Sequence, residues 1–198
     1  MSVFDSDAML KTPKIFFTAD THFGAQRTLE LSKRPFSSVK EMDEVIVNNW
    51  NSIVGLNDAI YHLGDFGNYD ILPNLNGRIK LILGNYEVEE MNKQINDSII
   101  ENGNEYCNIL ETIGFERVSD ETNIKFEGID DIFHLCHEPE KHHEDKFNLF
   151  GHIHRLCMVK RYGLNVGTDC HFFKPISIDE VLFYKNAIEK FYDNNVFD

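Results

Sequence analysis

The chain has 198 residues, and its 33 acidic against 19 basic side chains give a formal charge of −14. A surface this negative repels polyanions and offers no broad phosphate-tracking patch, which disfavours long nucleic acid as a partner. Hydrophobic residues make up 42% and aromatics 12%, enough for a sizeable core and against intrinsic disorder.

No Pro/Gly/Ser-rich linker divides the sequence, so residues 1–198 read as one domain. Cys107, Cys136, Cys157 and Cys170 lack CxxC spacing. Three of them sit in apolar or strand-like stretches, where a reduced thiol acts as a small hydrophobe. The N-terminus has no basic region followed by an apolar run, and no stretch approaches ~18 apolar residues. These features together read as a cytoplasmic protein with no membrane partner.

Taken in chain order, short β-type runs recur, each ending in polar residues. Lys14 to Thr18 leads into Ala-Asp-Thr-His, Ala59 to Leu63 into Gly-Asp, and Ile79 to Leu83 into Gly-Asn. Ile132 to Cys136 leads into His137, and Phe147 to Phe150 into Gly-His-Ile-His. Val39 to Val54 carries Met42, Val45, Ile46, Trp50 and Ile53 at amphipathic-helix spacing. A second helix is expected within Glu87 to Ile113, and a C-terminal one over Ile178 to Tyr192. Alternating strands and helices favour α/β layering. The strand-rich stretch from Phe115 to Val166 adds a second sheet, giving two packed β-sheets flanked by helices.

In α/β sheets, ligands gather at the carboxyl ends of strands. The donors delivered there are Asp20, His22, Asp65, Asn85, His137, His152 and His154. Asp20 and His22 are two apart, as are His152 and His154. On an extended segment such pairs point to one side and can converge on an ion. Gly24, Gly64, Gly84 and Gly151 flank the ligands and permit tight turns. Capping of turns explains Asp65 or Asn85 taken singly, but not four histidines and two aspartates with paired spacing.

The motifs D-T-H-F-G, G-D, G-N-Y-E, a later lone His and G-H-I-H stand in that order from Asp20 to His154. They resemble the five-motif signature of calcineurin-like metallophosphoesterases, across about two-thirds of the chain. A trailing N-V-G-T-D near Asn165 is similar to small bacterial and phage-type members. The resemblance implies the family's two-sheet sandwich and a binuclear metal-dependent phosphoesterase. Its substrate would be a small phosphorylated compound, such as a nucleotide, hydrolysed as a diester or monoester. Asp20, His22 and His154 would hold one metal, Asn85, His137 and His152 the other, with Asp65 bridging. Asp65, Asn85, Tyr86 and His137 would form the catalytic set.

Imidazole and carboxylate ligation without thiolate suits Mn, Fe, Zn or Ni, with Mg less favoured. Two divalent ions supply about +4 and two carboxylates about −2, which attracts phosphate even to this acidic chain. Metals about 3.5–4 Å apart can share a hydroxide that attacks in line with the leaving alcohol.

Two departures from the family pattern stand out. Tyr86 occupies a position where the family usually has His, and a phenol gives up its proton only near pH ~10. Ala25 and Gln26 follow the first motif where small relatives often have His and Asn. Nearby, Arg27 and Arg34 either contact phosphate through their guanidinium forks or are solvated loop residues. His171, after the N-V-G-T-D turn, either touches substrate or does not reach it.

The remaining histidines read as ordinary: His62 and His134 inside strands, His142 and His143 in a charged, exposed loop. The stripe Met42, Val45, Ile46 and Trp50 and the run Phe183, Tyr184, Phe191, Tyr192 and Phe197 read as packing. The oligomeric state is not set. Two alternatives stand beside the esterase: a catalytically weak metal-binding scaffold for protein interaction, which Tyr86 would favour, and a nuclease, which the charge disfavours.

Overall fold

The computed structural model describes residues 13–193, so Phe197 lies outside the described residues. The first sheet contains β1 (Ile15–Thr18), β2 (Ala59–His62), β3 (Arg78–Ile82), β4 (Arg117–Ser119) and β10 (Ile176–Ser177). Its order is β10-β1-β2-β3-β4, parallel from β1 to β4 with β10 antiparallel at one edge. The second sheet contains β5 (Thr122–Lys125), β6 (Ile132–Leu135), β7 (Phe147–Phe150), β8 (Val159–Lys160) and β9 (Gly163–Asn165). It runs β5-β6-β7-β9-β8, with β6, β7 and β9 parallel and both edge strands antiparallel. The helices are α1 (Gln26–Leu31), α2 (Val39–Ile53), α3 (Asn85–Asn96), α4 (Gly103–Ile113) and α5 (Ile178–Phe191). The chain is therefore an α/β protein with two five-stranded mixed sheets and flanking helices, as expected.

Strand alternation sorts the core into two layers. Phe16, Ile60, Ile79 and Leu81 face α2, α3 and α4 in one cluster. Phe17, Leu63 and Ile82 face the other way, joining Phe133, Leu135, Leu149 and Leu164 of the second sheet with Val181 and Ile188 of α5. The rings of Phe17 and Phe126, 6.0 Å apart, meet across this inter-sheet layer.

Helix α2 shows the local logic. Ser38 caps it by accepting from the Glu41 amide at 3.2 Å. Met42, Ile46 and Trp50 then fall on one buried face, while Val45 is half-buried. The Trp50 indole N–H donates to the Asn76 carbonyl at 2.8 Å, so the ring is both packed and satisfied.

Three local expectations need correction. Glu87 to Ile113 holds most of α3 and all of α4 rather than one helix, because Asn102 caps α4 afresh, accepting from the Asn104 and Glu105 amides. β4, placed by sequence with the second sheet, instead extends the first, pairing parallel to β3 with Val118 buried. Phe183 and Phe191 are each 69% exposed and stay outside the core, whereas Tyr184 and Tyr192 pack against the inter-sheet cluster. Among the described residues no helix is long and apolar enough to cross a membrane.

His62, on β2, is fully buried beside Trp50 and Phe66. Its Nε2 meets the Thr21 hydroxyl at 2.9 Å, and its Nδ1 has no partner. Burial, reinforced by nearby His137, pushes its pKa down to about 3.

Two predictions follow from this core. Trp50→Ala should lower stability by about 3–5 kcal/mol, since it opens a cavity and strands the Asn76 carbonyl. Denaturant unfolding checks this, and a loss under about 1 kcal/mol would contradict it. The second concerns pH. His62 is neutral when folded yet binds a proton near 6.5 when unfolded, so its contribution is present above that pH. It is lost as pH falls toward about 3. Between pH 6 and 4, His62→Gln should flatten the stability–pH slope by up to about 1.4 kcal/mol per pH unit. Parallel slopes for parent and variant would contradict it.

Candidate metal centre

The parallel strands of both sheets deliver the donors to one edge. Asp20 and His22 follow β1, Asp65 follows β2, and Asn85 is the first residue of α3, just beyond β3. His137 follows β6, and His152 and His154 follow β7. Backbone hydrogen bonds stitch these loops together: Asp20 to the Gly64 carbonyl (3.0 Å), His22 to Asp65 (3.0 Å) and Gly151 to His137 (2.9 Å).

The paired donors are not extended, contrary to the sequence reading. Asp20 (φ 56°), His22 (48°), Asp65 (57°), His152 (70°) and His154 (48°) all adopt left-handed backbone conformations. Such conformations cost about 1–3 kcal/mol each and cluster at functional sites. Asp, Asn and His tolerate them better than most residue types. Close approach adds a demand at Gly151, where a Cβ would stand 2.6 Å from Asp20 Oδ2 and 2.5 Å from the Ala19 Cβ. No side chain fits there.

Two triads result among the described residues, Asp20/His22/His154 and Asp20/Asp65/His137, each with ligand atoms within 4.8 Å of one another. Both can hold a metal ion. Asp65 Oδ2 lies 3.4 Å from His22 Nε2 and 3.5 Å from His137 Nε2, between the two groups. Asn85 Oδ1 meets His137 Nε2 and His152 Nδ1, each at 3.1 Å. Thus His152 and His154 part company, one beside Asn85 and the other in the first triad.

The side chains fit a cation. Both ring nitrogens of buried His22 lack a hydrogen-bond partner. Burial holds its pKa down to about 3, so the ring is neutral and its lone pair is free to bind. Its 3.4 Å approach to Asp65 is therefore not an ion pair. Burial also pushes Asp20 up to about 6, partly opposed by His137 and His154, which marks a site short of positive charge. Burial acts against a charged His137, but the hydrogen bond to Asp65 and the charges of Asp20 and Asp65 outweigh it and raise it to about 9. His137 Nδ1–H donates to the Leu63 carbonyl at 2.6 Å, which leaves Nε2 to face Asp65 and Asn85.

Tyr86, the second residue of α3, donates its amide to Asp65 Oδ1 at 3.0 Å. Its ring meets His22 edge-on with centroids 4.9 Å apart, and its hydroxyl accepts from Arg27 at 3.2 Å. Arg27, Tyr86 and Asn85 line an open cleft of about 660 Å³ with His22, Asp65, His152 and His154.

Arg34 and His171 do not reach that cleft. All five Arg34 N–H donors have partners: the Asp20 and Thr21 carbonyls, the Met42 sulfur and both Asp169 oxygens. None is left for a phosphate. His171 is buried, with Nε2 2.7 Å from the Asn165 carbonyl.

Sequence reading gave no role to Glu87, Lys33 or Arg155. Buried Glu87 accepts from the Gly84, Asp65 and Phe66 amides at 2.8–2.9 Å, fixing the turn that carries Asp65. Lys33 and Arg155 add cations to the cleft. The acidic fourth residue of G-N-Y-E and the Arg directly after G-H-I-H were the available signals. His134 is satisfied by Asn123 and Lys141, and His142 and His143 are exposed.

No protein-family model matches the chain. It is similar to the uncharacterized protein MJ1445 of Methanocaldococcus jannaschii, 26% identical over 85% of this chain and 89% of that one. The Gene 66 protein of Mycobacterium phage L5 is 31% identical over 36% of this chain and 39% of its own. Among solved structures, AQ665 of Aquifex aeolicus, a protein of unknown function, shares the fold. Its TM-score is 0.65 at 22% identity, covering 87% of this chain and all of AQ665.

Proposed function

We propose that this chain is a single-domain, binuclear metal-dependent phosphoesterase. It hydrolyses a phosphodiester or phosphomonoester of a small phosphorylated compound. The observation that carries the reading is the convergence of two Asp/His triads at one edge of the sheets, with His22 of the first triad neutral and unpartnered. Asp20, His22 and His154 would hold one ion, Asn85, His137 and His152 the other, with Asp65 between. Two divalent cations at these positions would activate water and polarise the phosphoryl oxygens.

The chain's own residues do the remaining work. Arg27 offers guanidinium donors to the phosphate. The Tyr86 hydroxyl, held by Arg27, donates a hydrogen bond to the ester. Lys33 and Arg155 extend positive charge along the cleft wall, which favours a small anion despite the overall −14. The same negative total disfavours long nucleic acid. All four cysteines are free thiols, which supports a reducing, cytoplasmic setting.

The test is hydrolysis of bis(p-nitrophenyl) phosphate and p-nitrophenyl phosphate with Mn, Fe, Zn, Ni or Mg. The parent should turn over with a transition metal and stop when EDTA strips it. Asp65→Asn should lose on the order of 100-fold or more, as expected when several kcal/mol of charge stabilisation go. Stoichiometric metal without turnover on any ester would instead favour the scaffold reading.

Tyr86→Phe should bind metal as the parent does. Its kcat should fall about tenfold on esters with poor leaving groups, the size of one lost hydrogen bond. Equal rates on every substrate would remove Tyr86 from catalysis.

A further inference from the structure

The N-V-G-T-D segment and Arg34 have no place in the chemistry above, yet they form a buried charged assembly directly behind it. Arg34 and Asp169 are joined in a two-pronged ion pair, through Nε to Oδ1 (3.1 Å) and Nη2 to Oδ2 (2.8 Å). Their side chains are 0% and 2% exposed. Asp169 Oδ2 is also 2.7 Å from His154 Nδ1. On its other side, Arg34 donates to the carbonyls of Asp20 (2.6 Å) and Thr21 (2.8 Å).

We infer that Arg34 and Asp169 are positioning residues for the first triad: Asp169 fixes the orientation and tautomer of His154, and Arg34 ties that carboxylate to the backbone bearing Asp20. The inference rests on reading Asp20, His22 and His154 as metal ligands.

Atom accounting supports it. A carboxylate only accepts, so His154 Nδ1 must carry the proton and Nε2 is left as the ligand nitrogen. Carboxylates commonly orient metal-binding histidines in this way. A buried ion pair is weak evidence for stability, because well-packed apolar residues serve equally well. Here, however, one guanidinium joins the backbone of the first motif to the side chain of the last. Both ends, Asp20 and His154, are held in left-handed conformations. An apolar replacement could fill the space but could fix neither end.

The experiment uses zinc as a diamagnetic probe. In the parent, long-range proton–nitrogen correlation spectra of His154 should give a protonated Nδ1, with Nε2 shifting as zinc is added. Calorimetric titration should find two zinc equivalents in the parent. Asp169→Asn should weaken one of them about 10–100-fold and leave the other nearly unchanged, with a folded amide spectrum before zinc is added. Arg34→Lys should weaken the same equivalent by less. Should Asp169→Asn not fold, the parent's spectra decide alone. A protonated Nε2 with zinc on Nδ1, or unchanged binding of both equivalents by Asp169→Asn, overturns the inference and spares the metal-centre reading. A parent that binds no zinc overturns both.

Discussion

Five candidate ligands stand in backbone conformations that side chains normally avoid, and the surrounding fold can be understood as the means of keeping them there. Asp20, His22, Asp65, His152 and His154 each have φ between 48° and 70°. A tight left-handed turn aims successive donors inward at short range, which an extended segment cannot do. At about 1–3 kcal/mol apiece, such conformations persist only where neighbouring contacts leave no alternative. Those contacts are identifiable: parallel strands ending at a common edge, the three amides gathered by Glu87, and the absent side chain of Gly151.

Electrostatics points the same way as geometry. Burial drives Asp20 toward protonation and His22 toward neutrality, while His137 is held as a cation by the carboxylates around it. Carboxylates and imidazoles so confined are costly without a positive partner. A pair of divalent cations would relieve that cost and replace the proton on His137 Nε2. Asp20, His22 and His137 of the centre are strongly perturbed, whereas the shift of His62 comes from burial in the core beside Trp50.

Much of this was legible in the amino-acid sequence, for physical reasons. β-type runs ending in Asp, Asn or His marked strand ends, and strand ends in α/β proteins are where donors collect. The apolar stripe of α2 announced its buried face. Less visible was anything set by tertiary partnership. Arg34 has the composition of a phosphate ligand, and only the position of Asp169, 135 residues away, turns it inward. β4 lies next to β5 in sequence, but the free edge of β3 draws it into the first sheet. The left-handed turns could not be read from D-x-H or H-x-H spacing, since the same spacing suits an extended strand. The two exposed phenylalanines of α5 escaped for the opposite reason: apolar character alone does not say which face a helix buries.

The proposed centre would hold two cations side by side at this edge. Crystals soaked in manganese and measured near its absorption edge test it most directly. Two anomalous peaks about 3.5–4 Å apart are predicted, one within reach of Asp20, His22 and His154 and the other beside Asn85, His137 and His152, with Asp65 touching both. Peaks elsewhere on the acidic surface with none at this edge would contradict it.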